Sequence, residues 1–542
     1  MTKEQGAIRN IWMLTREYSG LAGAGGVKDV VKQLAGTLAG WNGRKVSVAM
    51  PLYGFIPARE QGFLPLEDPL RPGVNLEYAV NMPYVEVERQ ETVGVWHRKL
   101  GRVHVYLLAA ERFREKADVY TYTLAEEALE PWKKQGTGHV DYFAMNILLQ
   151  KGALALMQIL NEQPDVIHCH DGHTAVLPAM IREIDGLRHS FRGTGVVVTI
   201  HNAGIGYHQE VADLPFARGI TGLSRRSILE NRLGAAFDPF LAAGRHAVLN
   251  TVSENYAREL QETQDDRLTG WLGHRLSEMG IVLEGVTNGI DPADFDPRRA
   301  EECGIAAPFD PLAERELGGK KNCKLAMLQK LSGNEILPGV GQFGHLRPDL
   351  DRPLFTFIGR LNEQKGVDVL IGSIRYLLRQ DGDFRILLLG SGGTREEEQI
   401  ISLTEQQENQ GRVCFLRGFS PVAANQVYAA GDFFLIPSRY EPCGLTDYIA
   451  QLFGNLPIVH SVGGLVKVLE GKTGFTYRED TREDLVEAVR RAIDCYKSPG
   501  CVRRMQKEAV LRIQENHTWD KVMKRYMQLY KKARQQRMAQ IL

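Results

Sequence analysis

The chain is built around short apolar runs that do not alternate. IWMLT (11–15), KVSVAMP (45–51), VHVYLLA (103–109), DVIHCH (165–170), VVVTIH (196–201) and AVLNTVS (247–253) form one set. LFTFIG (354–359), RILLLG (385–390), VCFLRG (413–418), FFLIP (433–437) and LPIV (456–459) form a second. Runs this short, rich in Val, Ile and Leu, fit strands buried on both faces. Most are followed by Gly, Asn, His or Ser and then a helical pattern, which implies right-handed βαβ units and parallel sheets. The expectation is an α/β chain with two Rossmann-like parallel-sheet domains. Ligands bind at the carboxyl edge of such sheets, so the expected site is a central cleft that the two edges face.

A length of 542 residues suits two large domains. The two sets of runs are separated by Asp291–Pro353, rich in Pro, Gly and charge, which reads as a connection. The expected organisation is residues 1–287, then 288–514, then 515–542. The last stretch carries TWDKVMKRYMQLYKKARQQRMAQIL (518–542), an amphipathic helix with no strand after it, expected to pack back on the first domain. Lys plus Arg and Asp plus Glu are both 66, so no overall polyanion-binding surface, and no nucleic-acid partner, is expected. The seven cysteines include no C-x-x-C pair and read as reduced thiols of a cytoplasmic protein. No secretory h-region opens the chain and no apolar run is long enough to cross a bilayer, so no membrane partner is expected.

Four stretches could carry chemistry. GLAGAGGVKDVV (20–31) follows the first strand and lacks both the Walker and the G-x-G-x-x-G spacing. Val27, Val30, Val31, Leu34 and Leu38 mark one helix face, which puts Gly25 and Gly26 at a helix N-terminus where free N–H groups favour an anion. The alternative is a tight turn with packing glycines. HCHDGH (168–173) has three histidines that invite a zinc reading. It is similar to the metallo-β-lactamase signature, with Asp171 one place early and Gly172 where the Asp belongs. Satisfied histidines under a sheet edge, or His170 donating to a ligand hydroxyl, are the other readings, and metal ranks lowest.

FIGRLNEQKG (357–366) puts Arg360 and Lys365 on one sheet-edge loop, which suits a diphosphate or else a solvated loop. PSRYEPCGLT (437–446) places Glu441 at a strand-to-helix turn, with Cys443, Gly444, Leu445 and Thr446 offering N–H groups at the helix start. Glu441 either caps that helix or binds a ligand's hydroxyls. GGL (463–465) adds a further glycine turn.

These motifs, with AMPLYG, DYFAMN, VVTIHNAG, NTVSENYAREL and GVTNGIDPADFDP in order between them, resemble those of bacterial glycogen synthases and plant starch synthases. These are retaining glucosyltransferases of the two-domain GT-B type, and the likeness runs from about residue 8 to 530. It implies transfer of glucose from a nucleoside diphosphate glucose, ADP-glucose favoured over UDP-glucose, to the 4-hydroxyl end of an α-1,4-glucan such as glycogen, with no cofactor and no metal. By position it implies that Gly25 and Gly26 approach the donor diphosphate and that Arg360 and Lys365 bind it. Glu441 and His170 contact the transferred glucose, and Gly444, Leu445 and Thr446 lie close to phosphate. Asp141 and Asn288 match further polar cleft positions.

The chain departs from the family at three places. Gly23 stands where the family has Lys, with Lys28 five residues on. Gly172 replaces a Trp, and Lys467 and Val468 replace an Asp and a Thr ahead of a longer loop. These changes mark a branch with a different donor base or acceptor. Three alternatives therefore stay open: a related GT-B enzyme with a small or cell-envelope acceptor, a catalytically silent glucan- or nucleotide-sugar-binding relative, and a zinc hydrolase at His168, His170 and His173.

Overall fold

The computed structural model describes residues 7–41, 43–85, 87–313, 317–333, 337–380 and 384–541. The chain divides into two compact units, Met1–Gly289 together with Trp519–Leu542, and Ile290–Thr518.

In the first unit the strands lie in the order Glu284–Gly285, Val248–Thr251, Gly195–Ile200, Val166–His170, Asn10–Leu14, Lys45–Pro51 and Val103–Ala109, all parallel. The antiparallel strands Gln90–Leu100 and Leu64–Pro65 extend this sheet, and Glu77–Asn81 also pairs with Gln90–Leu100. The chain leaves Asn10–Leu14 toward one side of the sheet and returns as Val166–His170 on the other. The ends of these two neighbours are therefore a topological switch point, where open α/β sheets bind ligands. The helix after the first strand spans Val27–Gly40 and buries Val30, Val31, Leu34, Ala35, Leu38 and Ala39.

In the second unit the order is Val340–Gly344, Val413–Gly418, Arg385–Gly392, Leu354–Leu361, Phe433–Ile436, Leu456–His460 and Phe475–Tyr477. All pairs are parallel except the first. Here the switch point falls between Leu354–Leu361 and Phe433–Ile436. Helix Val367–Gln380 lays Val367, Leu370, Ile374 and Leu377 on a core with Phe355, Phe384 and Leu435.

Three features differ from the sequence reading. The stretch read as a connection holds helix Gly318–Ser332 and strand Val340–Gly344, both part of the second unit. Its helix hides two lysines in the interior. Lys320 Nζ donates to the carbonyls of Ala429 and Phe453 at 3.0 and 2.9 Å, and Lys324 Nζ reaches Asp432 Oδ2 at 2.7 Å. The division of the chain falls at 289/290 and 518/519 rather than 287/288 and 514/515. Asn288 accepts from the Tyr526 hydroxyl at 3.3 Å, whereas Ile290 N donates to His517 O at 2.9 Å.

The cysteines are the third difference. Cys495 and Cys501 form a disulfide, because the turn between helices Arg482–Tyr496 and Pro499–Asn516 brings their Cα atoms to 5.7 Å. Cys169, Cys303, Cys323, Cys414 and Cys443 are free and buried.

Helix Trp519–Ile541 lies on the first unit's sheet. Trp519 Nε1 donates to Gln33 Oε1 at 2.6 Å, and a Cβ on Gly195 would stand 2.7 Å from Arg534 N. Among the described residues no helix is long and apolar enough to cross a membrane.

Candidate functional site

At the first unit's switch point the loop 15–26 is organised by a buried carboxylate. Glu17 Oε2 accepts from Ala24 N at 2.9 Å and Gly25 N at 3.2 Å, and Glu17 Oε1 accepts from the Tyr120 hydroxyl at 2.5 Å. The Tyr120 ring stacks on His173 at 5.0 Å, which joins this loop to the turn after the neighbouring strand. Gly23 to Gly26 are exposed. A Cβ on Gly25 would meet nothing within 4 Å, and its φ is not positive. Nothing in the fold requires glycine there, which removes the packing explanation for Gly25 and leaves open space above the loop.

His168 and His170 share one face, with ring centroids 4.1 Å apart. Both nitrogens of His168 are engaged, by the Tyr530 hydroxyl at 2.9 Å and the Thr199 hydroxyl at 2.7 Å. His170 Nδ1 lies 2.9 Å from His201 Nε2, while its Nε2 is buried with no hydrogen-bond partner among the described residues. Burial, and then His168 and His201, hold the His170 imidazole well below its usual pKa, so it is neutral. No group of three or more His, Cys, Asp or Glu in metal-binding geometry occurs among the described residues.

Asp171 has φ 60° and ψ −179°, a region that is essentially glycine's and costs about 1–3 kcal/mol for another residue. Its Oδ1 accepts from His201 N at 2.6 Å and Asn202 N at 3.4 Å. Burial pushes the carboxyl up to about 7 from 3.8, against those two donors. A folded-state pKa above the unfolded one stabilises the protein below the unfolded value, and that contribution disappears as pH rises through about 7. Asp171→Asn keeps the acceptor oxygen and removes the titration. The variant should gain denaturant resistance relative to the parent between about pH 5 and about pH 8. A difference that does not change with pH would refute the assignment.

Asp141 and Asn288 each have partners within the first unit. Asp141 is clamped by Arg112 at 2.7 Å and Lys116 at 2.9 Å; burial opposes its ionisation, but these cations hold it below the usual carboxylate range. Asn288 is buried, with its side chain against Tyr526.

In the second unit Arg360 and Lys365 leave the same strand end. Arg360 is exposed at the end of Leu354–Leu361, in register with Ser391. Lys365 ends the short turn Glu363–Lys365, whose start is capped by Asn362 Oδ1 on Lys365 N at 3.1 Å. Arg439 ties this turn down through Glu363 O at 3.0 Å and Asp368 at 2.7 Å. Gly366 follows with φ 62°, and a Cβ there would stand 2.0 Å from Pro437 O, so the two loops of the switch point touch backbone to backbone.

Across that contact Lys365 Nζ meets Glu441 Oε2 at 2.5 Å, and the Ser438 hydroxyl donates to the same oxygen at 3.0 Å. Burial would raise the Glu441 carboxyl, but Lys365, Ser438 and Lys467 hold it below the usual range. Glu441 does not cap helix Thr446–Leu452, whose N-cap is Leu445.

The glycine turn 463–465 closes on this loop. Gly464 N donates to Glu441 O at 2.9 Å, and Cβ atoms on Gly463 and Gly464 would each stand 2.1 Å from a carbonyl oxygen, those of Glu441 and Cys443. Lys467 fastens the two turns together. Its buried ammonium donates to the carbonyls of Cys443, Gly444 and Gly464, lies 3.0 Å from Asp447 Oδ1, and sits 4.4 Å from the Tyr448 ring centroid. Burial pushes Asp447 up to about 6 despite that ammonium.

Sequence reasoning missed Glu17, Tyr120 and Asp447. The signal for Glu17 was an acidic residue between a strand and a glycine run. Lys467 stood out only as a departure.

Residues 10–275 match the family model described as "Starch synthase catalytic domain", and residues 342–509 match "Glycosyl transferases group 1". The glycogen synthase of Vibrio cholerae serotype O1 is 28% identical over 97% of this chain and 99% of its own. That of Geotalea daltonii is 29% identical over 96% and 98%. The catalytic domain of starch synthase IV from Arabidopsis thaliana, bound to ADP and acarbose, superposes with a TM-score of 0.76 at 22% identity, covering 98% of this chain and 100% of that one. Sucrose-phosphate synthase from Thermosynechococcus elongatus gives 0.55 at 17% identity, covering 97% and 98%.

Proposed function

This chain belongs to the glycogen and starch synthase family of GT-B glycosyltransferases, and on that premise we propose that it transfers glucose from ADP-glucose to the non-reducing 4-hydroxyl of an α-1,4-glucan with retention of configuration. The observation that carries the reading is the Lys365–Glu441 pair at the second unit's switch point. A cation and an ionised carboxylate side by side suit a ligand that is anionic at one end and rich in hydroxyls at the other.

The proposed sequence of events follows from those residue types. As the bond from glucose C1 to the diphosphate oxygen lengthens, negative charge builds on the diphosphate. Arg360 and Lys365 bind that charge more tightly than they bind the ground state, which is what lowers the barrier. The acceptor 4-hydroxyl attacks C1 from the face the diphosphate leaves and gives its proton to the departing phosphate oxygen. Glu441 orients the glucose through its hydroxyls and forms no bond to C1. His170 Nε2 is a free nitrogen suited to a sugar hydroxyl. The same reading puts the backbone of Gly444 to Thr446 close to the diphosphate.

The test is incorporation of label. Purified protein with glycogen and either ADP-[14C]glucose or UDP-[14C]glucose should place radioactivity in polymer, faster from the adenine donor. Release of free nucleoside diphosphate with no polymer growth would overturn the acceptor assignment, and faster incorporation from UDP-glucose would overturn the donor base.

A further inference from the structure

We propose that Trp132 is a stacking platform for the body of the glucan acceptor, carried on an arm of the first unit that none of the site motifs includes. The inference rests on the transferase reading above, concerns the acceptor only, and needs residues of one unit alone.

The arm leaves and rejoins the unit beside the switch point. Tyr120, before it, donates to Glu17 and stacks on His173. Asp141, after it, is held by Arg112 and Lys116. Between them the chain closes on itself. His139 N donates to Tyr120 O at 3.2 Å, Tyr122 N to Thr137 O at 2.9 Å, and Gly136 N to Tyr122 O at 2.9 Å. Residues 122–136 therefore form an excursion with a paired stem. Helix Leu124–Leu129 stiffens it, starting from a complete capping box of Thr123 and Glu126.

The arm presents an indole that is both exposed and fixed. Trp132 is 55% exposed. A single exposed aromatic is ordinary on a protein surface. This one is held by three groups. Its Nε1 donates to Glu130 Oε2 at 3.0 Å, it meets the Tyr122 ring edge to face at 5.7 Å, and Lys133 Nζ stands 5.3 Å from its centroid. Lys133 is fixed in turn by Glu130 Oε1 at 2.5 Å. These contacts set the ring's orientation without hiding it, which is preorganisation for the flat apolar face of a ligand.

The charges of the arm decide the class of ligand. Its charged side chains are Glu126, Glu127, Glu130, Lys133 and Lys134. All of them bond inside the arm: Glu126 to Thr123, Glu127 to Lys134 and Gln135 N, Glu130 to Lys133 and Trp132. A surface whose charges are already matched suits an uncharged partner and has no complement to offer a polyanion. A glucan is uncharged. Its pyranose rings have C–H faces that lie flat on an indole, and its hydroxyls donate to a carboxylate such as Glu130 at the ring's edge. The stem adjoins the switch point through Tyr120, so the arm is placed to hold the body of a long chain whose end is there.

Wild type, Trp132→Ala, Trp132→Leu and Trp132→Phe test this. Each is run in native gels with and without glycogen, assayed for transfer from ADP-glucose to glycogen, titrated with ADP by calorimetry, and melted. Glycogen should retard wild type. Trp132→Ala and Trp132→Leu should bind glycogen roughly tenfold more weakly and show a KM for glycogen raised by about the same factor, with kcat, ADP affinity and unfolding temperature close to those of wild type. Trp132→Phe, which keeps an aromatic plane, should retain most of the binding. A structural role for the ring would instead lower the unfolding temperature, and a merely apolar contact would let Leu serve as well as Phe.

The proposal is overturned if Trp132→Ala binds glycogen within about twofold of wild type, or if Leu replaces Trp as well as Phe does. It is also overturned if sedimentation shows that Trp132→Ala breaks a dimer that wild type forms, which would make a second copy the occupant. A wild type that glycogen retards but that adds no glucose to it refutes the transferase reading, while the gels still decide on Trp132. A wild type that glycogen does not retard overturns the platform, whatever its activity.

Discussion

Lys365→Ala should abolish measurable transfer, with kcat falling roughly 10²–10³-fold or more, while the second unit remains folded. The size follows from the charge that Lys365 must meet. Its ammonium is in place before reaction, oriented by Asn362, by the Arg439 anchors of its turn and by Glu441. A preorganised cation costs no reorganisation when negative charge develops. Removing it also leaves Glu441 without its counter-ion, so the carboxyl shifts toward its neutral form. Lys365→Ala/Glu441→Gln separates the two effects: any loss of stability should be recovered in the double variant, whereas activity should stay lost. Lys365→Ala with kcat within about tenfold of wild type would remove Lys365 from the proposed mechanism.

Lys467→Ala should be the most destabilising single change at the site, by about 3–5 kcal/mol, and should eliminate transfer with it. Lys467 and Asp447 have side chains 8% and 0% exposed. The ammonium also donates to three backbone carbonyls, those of Cys443, Gly444 and Gly464. Truncating it leaves a buried carboxylate unpaired and releases the glycine turn from the loop that carries Glu441. Asp447 already has a raised pKa of about 6, and without Lys467 it rises further. A raised folded-state pKa favours the protonated form, so Lys467→Ala should be less stable at about pH 8 than at about pH 5. Lys467→Ala/Asp447→Asn should recover more than half of the lost stability in urea titrations. A Lys467→Ala protein as stable as its parent would show that the ammonium is not what holds the two turns together.

How far the sequence could be read depended on how each element is buried. IWMLT and RILLLG announce themselves because central parallel strands are covered on both faces. Gln90–Leu100 does not, since as an antiparallel strand at the sheet's margin it mixes exposed and buried places. Helix Gly318–Ser332 stayed hidden because Lys320 and Lys324 point inward, so its buried side reads as a charged one. The same holds at the site. Lys365 and Glu441 sit in recognisable strings, and the structure adds that they touch. Lys467 and Asp447 look like unrelated surface charges until the chain folds, because 20 positions separate two residues whose charged atoms lie 3.0 Å apart. Glu17 is legible only as an acid near glycines, because its partners Ala24 and Tyr120 lie in loops whose conformation no periodicity reports.

The helix Trp519–Ile541 belongs to the unit that begins the chain. The order of synthesis and the order of completion therefore run opposite. On the ribosome the unit begun first must wait for this helix to emerge before His168 finds its Tyr530 hydroxyl and Gly195 is covered. The unit begun second has all its strands before then. Until that helix emerges, the early sheet lacks the cover it provides, and it is this uncovered face that a nascent-chain chaperone would have to shield.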